Sequence, residues 1–403
     1  MSPFRGIGTL AHSLYAAWMF TQRARDRCGE RLSRLVDSRV GSEELRLEAA
    51  AELHRVIGFD LWCWALADPR SLVACSGVAS QTPPPQVERV LPRLLALEQQ
   101  EPHSARHVIT RSRQPVCTLA AATGGNLERS RRWAECIHPA GLEDLAVVAC
   151  RDANGCWGWL EAYRAHDARR FETDETALLE SVAPLLGTAL RERASGDGPL
   201  IKAQPSGVLI LDPDLRPTSW TAAARTLIES LPGRIPGALN LLPSVVYAVA
   251  GRALAPAGTA GAQLGTTARV RTRDGGWVVI CGEALEGAEA GHIAITIRAT
   301  TPEEALELLS RLHALTSRER EVAELVARGL STADIARRLV ISEHTVKDHM
   351  KSILAKTGAR NRRQLMAQIQ GTDPQADRPS QSETDGYEHT RARHRTQSPA
   401  RHV

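Results

Sequence analysis

Four helix-start signals crowd into about fifty residues near the carboxyl end, and no other feature of the chain constrains it as tightly. Thr316-Ser317-Arg318-Glu319 pairs a hydroxyl cap with an acid three residues on, and Ser331-Thr332-Ala333-Asp334 repeats that chemistry. Ser342 precedes Glu343, and Asn361-Arg362-Arg363-Gln364 opens the last segment. At each site a side-chain oxygen can accept from backbone N–H groups that a helix leaves unpaired, and an acid in the first turn meets the positive end of the helix dipole. The signals therefore predict four short helices. Their inward residues are Val322, Leu325 and Val326, then Ile335, Ala336 and Leu339, then Val346, Met350, Ile353 and Leu354 at helical spacing, with Gly329 as a left-handed stop.

The third of these helices is odd on its other side. With one aliphatic face holding it down, Thr345, Lys347, Asp348, Lys351 and Ser352 are expected to look outward. A polar helix pinned from behind fits the major groove of a duplex, which admits a helix and displays a distinct donor and acceptor pattern for each base pair. Charge agrees. Leu315 to Gln370 carries eleven Lys/Arg against six Asp/Glu, a net of +5, while the whole chain is only +4. Three of the four lysines (Lys347, Lys351 and Lys356, but not Lys202) fall in this segment. A polyanion is the partner such a local excess suits, although a solvated basic face has the same composition.

The stretch LTSREREVAELVARGLSTADIARRLVISEHTVKDHMKSILAKTGARNRRQL closely resembles the LuxR-type helix-turn-helix. Its hallmarks stand as Leu315-Thr316-x-Arg318-Glu319-x-Glu321-Val322, Ile335-Ala336-x-x-Leu339, Ser342-x-x-Thr345-Val346-Lys347-x-His349 and Lys356. The resemblance implies double-stranded DNA as partner, with Lys347, Asp348 and Lys351 reaching base edges. Asp348 departs from the apolar residue often found there, so base preference does not carry over; its carboxylate suits a cytosine amino group or a pairing with Lys351. Phosphate contacts are expected from Thr345, Arg337, Arg338, Lys356, Arg362 and Arg363, and with them a steep fall in affinity with salt. His349 suits a core edge as well as a phosphate. A homodimer meeting half-sites about one helical turn apart is expected, joined through the helix Thr173 to Arg193, the helix Leu306 to Leu312 or the fourth helix of the DNA module, with RNA polymerase a further partner.

Upstream, 403 residues that are 43% hydrophobic suffice for two or three domains. Glu43 to Val56 has helical periodicity, with Leu45, Ala49, Leu53 and Val56 on one face. Phe59 to Ala65 and Ser71 to Cys75 read as strands around Asp68-Pro69, and Leu145 to Cys150 with Cys156 to Tyr163 as a hairpin across Asp152-Ala153-Asn154-Gly155. Thr173 to Arg193 is a long helix striped by Leu179, Val182, Leu186 and Leu190. After the turn-rich 194–199 a second unit begins. Gly207 to Leu211, Ala268 to Arg273, Trp277 to Cys281 and His292 to Ile297 read as strands of one small sheet, and Thr221 to Leu231 as a helix on one face. FDLWCWALADPRSLVAC together with GCWGWLEAYRAHDARRFETDETALLESVAPLL resembles a GAF domain, and GVLILDPDLRPTSW with TRDGGWVVICGEAL resembles a PAS domain. Both imply sensing of an unspecified small molecule. Thr301-Pro302-Glu303-Glu304 starts a connecting helix through Leu306, Leu309 and Leu312.

The expected architecture is multidomain: α+β sensors followed by an all-α four-helix module. Its boundaries are an extension at 1–18, with Met19 as an alternative start; a GAF-like unit at 19–195; a PAS-like unit at 200–300; a connecting helix at 301–314; the DNA reader at 315–370; and a polar, disordered tail at 371–403. Ile7 to Phe20 is too short to span a bilayer and lacks a small-residue cleavage site, so a cytoplasmic protein without membrane contact is expected. No GxxxxGK[ST], GxSxG or HExxH occurs, so neither catalysis nor a cofactor is expected.

Weaker signals remain. His103-x-x-x-His107 has metal-compatible spacing but no third ligand in view, so no metal site is expected. Eight cysteines without CxxC suggest reduced thiols; Cys150 and Cys156 face each other in one of two hairpin registers, which would allow a redox response. Trp62, Trp64, Trp157 and Trp159 alternate along strands, as ligand-lining and core-filling tryptophans both do. A phosphorelay receiver would need a regular βα repeat, which the early segment lacks. An acyl-lactone sensor shares the α/β sandwich, but its aromatic and acidic ligand pattern does not map onto Trp62 and Asp68. A response to a protein partner is the remaining alternative.

Overall fold

The computed structural model describes residues 22–371 apart from the short stretches 80–84, 167, 196–199, 203, 234–240 and 257–263. The extension at 1–18 and nearly all of the tail at 371–403 lie outside the described residues. Among those described, no helix is long and apolar enough to cross a membrane.

The first module is a five-stranded antiparallel sheet made of β1 (Leu61–Ala67), β2 (Ala74–Ala79), β3 (Val116–Thr118), β4 (Leu142–Asp152) and β5 (Gly155–Ala165), ordered β2-β1-β5-β4-β3. Helices cover it on both sides. On one lie α1 (22–37), α2 (Ser42–Ile57) and, from a later segment, the helix Thr173–Ala194; on the other lie α3 (Pro85–Gln100), α4 (Ala105–Thr110) and the short α5 (Leu119–Ala122). Burial on both faces explains why Leu145 to Cys150 is an unbroken apolar run. Ala146, Val148 and Cys150 enter one core while Leu145, Val147 and Ala149 enter the other. The long helix, α6 (Thr173–Ala194), crosses β4 so closely that a Cβ on Gly187 would meet the backbone of Arg151 at 2.6 Å.

The β4–β5 ladder holds an irregularity that the sequence conceals. Cys150 faces Gly158 but Arg151 faces Cys156, so Trp157 is passed over. The bulge sends Trp157 into the core with Trp62 and Trp64, while Trp159 enters the opposite one. The four tryptophans thus do not line one wall. Cys150 and Cys156 also fall on opposite faces, which removes the pairing across the hairpin.

The second module repeats the strand order of the first. β6 (Gly207–Leu211), β7 (Pro217–Trp220), β8 (Thr267–Arg271), β9 (Trp277–Ala284) and β10 (Ile293–Ala299) run β7-β6-β10-β9-β8, again all antiparallel. α7 (Ala222–Ser230) and α8 (Ser244–Ala253) lie on one face. α8 is apolar almost all round because it is covered twice, by its own sheet and by α3 of the first module. The crossing requires Gly251, whose Cβ would stand 2.5 Å from Ala96 Cα. Both α3 and α8 are additions to the elements expected from sequence.

α9 (Pro302–Leu312) begins with the expected capping box: Thr301 accepts from the Glu304 N–H at 3.3 Å and the Glu304 carboxylate from the Thr301 N–H at 2.9 Å. The C-terminal module follows as α10 (Ser317–Ala327), α11 (Thr332–Leu339), α12 (Glu343–Thr357) and α13 (Arg362–Gln370). Thr316, Ser331, Ser342 and Asn361 each cap their helix as the sequence predicts. The stripes proposed for pairing two copies are covered within the chain. Leu179, Leu186 and Leu190 of α6, Leu309 and Leu312 of α9, and Leu365 and Ile369 of α13 are all buried. Gly371 sits against Ile201, so the reader is docked onto its own upstream modules.

Candidate nucleic-acid interface

α12 stands with its back fixed and its front open. Val346 and Ile353 are fully buried, with Met350 and Leu354 packed beside them. At its start the Ser342 hydroxyl accepts from the Thr345 N–H at 3.0 Å, and the two hydroxyls lie 2.9 Å apart. Lys347, Asp348 and Lys351 are exposed on the front, as expected. Asp348 turns to His344, 3.6 Å from its Nε2, rather than to Lys351. That leaves both lysines clear of a carboxylate among the described ion pairs.

Two residues expected at phosphates, Lys356 and Arg362, make bonds within the module. Lys356 donates to Glu319 at 2.6 Å and to the Ala314 carbonyl at 3.3 Å, tying α12 to α10. Ser352, expected outward, donates to the other oxygen of the same carboxylate at 2.5 Å. Burial alone would raise the Glu319 carboxyl, but Lys356, Ser352 and Thr316 outweigh it and hold it at about 2. Arg362 donates to the Leu330 carbonyl in the loop before α11. Arg337 pairs with Asp334 yet keeps 79% of its side chain exposed, so it can still face a phosphate. Arg338 and Arg363 are exposed, and His349 is half-buried.

The division is testable. Lys356→Ala is expected to destabilise the C-terminal module by about 1–3 kcal/mol, because it leaves the nearly buried Glu319 carboxylate short of a donor. It should leave the slope of log affinity against log salt unchanged, whereas loss of a true phosphate contact lowers that slope by about one. Thermal melts and a salt series on this one variant decide between the two roles.

Two further features escaped sequence reading. Arg318 reaches back to donate to the Leu339 carbonyl at 2.7 Å, closing the end of α11. Val340 carries the turn into α12 in a left-handed conformation, φ 54°, and is 88% exposed beside Arg337 and Ser342. A β-branched residue adopts that backbone at a cost, and no local signal announces it. Away from this module, His103 lies beside Arg129 at 3.3 Å while His107 is buried with Nδ1 2.6 Å from the Glu101 carbonyl, so the two do not converge on an ion.

A basic helix clamped at its start and along its back, with Lys347 and Lys351 open, defines a helix-turn-helix DNA-binding protein, a transcriptional regulator. The family model for bacterial regulatory proteins of the luxR family matches residues 313–368. The uncharacterized transcriptional regulatory protein YxjL of Bacillus subtilis is 32% identical over 178 residues, 43% of this chain and 79% of that protein. Spore germination protein GerE of Bacillus subtilis is 42% identical over 55 residues, 14% of this chain and 74% of GerE. The nitrate/nitrite response regulator protein NarL of Escherichia coli K12 is 39% identical over 87 residues, 20% of this chain but only 40% of NarL. The chain belongs to the luxR family of bacterial regulatory proteins.

Proposed function

We propose that the protein is a sequence-specific regulator whose two upstream modules, GAF-like over 19–195 and PAS-like over 200–300, sense a small molecule and set the DNA affinity of the reader at 315–370 through the connecting helix at 301–314. In this reading Lys347, Asp348 and Lys351 face bases, and Thr345, Arg337, Arg338 and Arg363 face phosphates. The observation that carries the coupling is a junction on α9. Glu307 accepts from Arg70 of the first module at 2.6 Å and from Arg269 of the second at 2.9 Å. Arg269 also lies 3.7 Å from Asp68, and its N–H donates to that carboxylate at 3.2 Å. Two segments distant in sequence therefore share one carboxylate on the helix that leads into the reader. Displacement of either sheet edge would be felt there.

The sheets being antiparallel throughout supports sensors over a phosphorelay receiver, whose βα repeat demands parallel strands. Redox sensing is less well supported. Burial pushes the thiols of Cys75 and Cys150 up well above their ordinary value, and those of Cys63 and Cys156 to about 11 and about 12, which disfavours reactive thiolates. Of the four tryptophans, only Trp159 lies on the α3 and α4 side, beside the guanidinium of Arg106.

Docking covers the stripes of α9 and α13, so a homodimer built on either must first release the reader. Glu307→Gln is accordingly expected to raise the DNA affinity of the full chain about fivefold or more and to increase its dimeric fraction, the lower end of a usual coupling free energy. Electrophoretic shift titrations and sedimentation read both. Unchanged affinity and mass would remove α9 as the transmitter. Native mass spectrometry of the full chain would identify the small molecule.

A further inference from the structure

At one end of the β4–β5 pair, three segments bring together two imidazoles and a carboxylate that no sequence pattern links. His138 lies in the tight turn before β4, Glu143 at the start of β4 and His166 just after β5. One ring nitrogen from each histidine and one Glu143 oxygen all lie within 4.8 Å of one another. We propose that these three side chains form a binding site for a divalent transition-metal ion of the zinc class, with solvent or a small ligand completing its coordination.

Distances support it. Glu143 Oε2 is 3.1 Å from His166 Nδ1 and 3.5 Å from His138 Nδ1. A tetrahedron with bonds of about 2.0–2.1 Å has edges of about 3.3–3.4 Å, so two edges are set to within a few tenths of an ångström. The donor set of two imidazoles and one carboxylate is borderline in softness, which suits zinc, nickel, copper or iron over calcium or magnesium.

Hydrogen bonding points the same way independently. His166 Nε2 lies 3.2 Å from the His138 carbonyl, and a carbonyl can only accept, so Nε2 carries a proton. In the neutral ring Nδ1 is then a lone pair, and it faces a carboxylate oxygen at 3.1 Å. Acceptor against acceptor is repulsive. A second ring proton or a cation between them relieves the contact, and a cation turns it into coordination, with the carbonyl fixing the tautomer as such outer partners do for metal-bound histidines. The other ligands are held too. The Trp133 indole packs on His138 with centroids 4.5 Å apart and donates to the Glu143 carbonyl at 3.0 Å. The β4–β5 register passes from Leu142 to Asp144, so Glu143 sits in a bulge, a device that re-aims a side chain out of the ladder. Both histidines are nearly half-exposed, at 48% and 44% of their side chains, which leaves a path for an ion.

The inference is independent of the sensory reading, because binding is measured without DNA. Zinc chloride titrated calorimetrically into the full-length reduced protein should occupy one site that His138→Ala and His166→Ala each weaken by more than about tenfold, since even loss of an outer partner costs about 10–100-fold. His103→Ala should leave that site intact. On the unsubstituted protein, zinc should shield His138 and His166 from acylation by diethylpyrocarbonate, read by peptide mass spectrometry, which removes any dependence on the folding of variants. Equal zinc binding by the parent and both histidine variants, no zinc binding at all, or equal acylation with and without zinc would overturn the proposal.

Discussion

Replacing Lys347 and Lys351 together by alanine is expected to lower affinity for the cognate duplex about 100-fold or more, without moving the thermal midpoint. Each contact to a base edge or phosphate contributes about 1–3 kcal/mol, and every 1.4 kcal/mol is about tenfold in affinity. Both side chains are exposed, and neither takes part in a described ion pair, so their removal leaves the packing of α12 unchanged. Under the proposed docking, in which Lys347 and Lys351 face bases and the exposed Arg337 and Arg338 face phosphates, loss of specific binding should exceed loss of non-specific binding. Binding isotherms on cognate and scrambled duplexes at two salt concentrations test this. If the double variant binds as tightly and as selectively as the parent, α12 is not the reading helix.

The second large effect lies far from DNA. On the α3 side of the first sheet, Glu161 accepts from Arg106 at 2.8 Å, from Arg132 at 3.0 Å and from the Tyr163 hydroxyl at 2.5 Å, while Arg132 also pairs with Glu98 at 2.6 Å. All are buried. Glu161→Ala is expected to destabilise the first module by about 3–5 kcal/mol, because it strands two guanidinium charges away from water with one carboxylate between them. For a module of this size that is a drop on the order of 10 °C in midpoint. The pH dependence follows. Burial disfavours the charged carboxylate, but Arg106 and Arg132 outweigh it and hold Glu161 at about 2, below its ordinary 4.5. A depressed carboxylate stabilises the fold above the unfolded value and loses that contribution as pH falls through 4.5 toward 2. Glu161→Gln should therefore be much less stable than the parent at neutral pH and approach it in acid. A gap in urea midpoint that stays constant from about pH 7 to about pH 3 would contradict the assignment.

How much of this protein is legible in its amino-acid order depends on how local each cause is. A cap needs one side chain and the amide two or three residues on, so Thr301, Thr316, Ser331, Ser342 and Asn361 announce their helices from sequence alone. The face of α12 is legible for the same reason: the aliphatic spacing that pins Val346 and Ile353 leaves Lys347 and Lys351 on the other side. Lys356, Arg362 and Ser352 take roles the sequence does not show because their partners, Glu319 and the Leu330 carbonyl, are more than thirty residues away along the chain. Charge and helical phase cannot distinguish a strut from a phosphate contact. The tryptophans mislead through a single passed-over residue, since strict alternation puts Trp157 and Trp159 on one face until the bulge separates them.

By itself the sequence determined the class of protein and the exposed face of α12, because helix capping and amphipathic spacing act over a few residues. Only the tertiary structure decided that α8 is held between its own sheet and α3, that Glu307 is shared by two modules, that the stripes of α6, α9 and α13 are covered inside one chain, and that His138, Glu143 and His166 converge. Each of those depends on segments brought together by burial of apolar surface, which is non-directional and leaves no short-range signature of which partner is chosen.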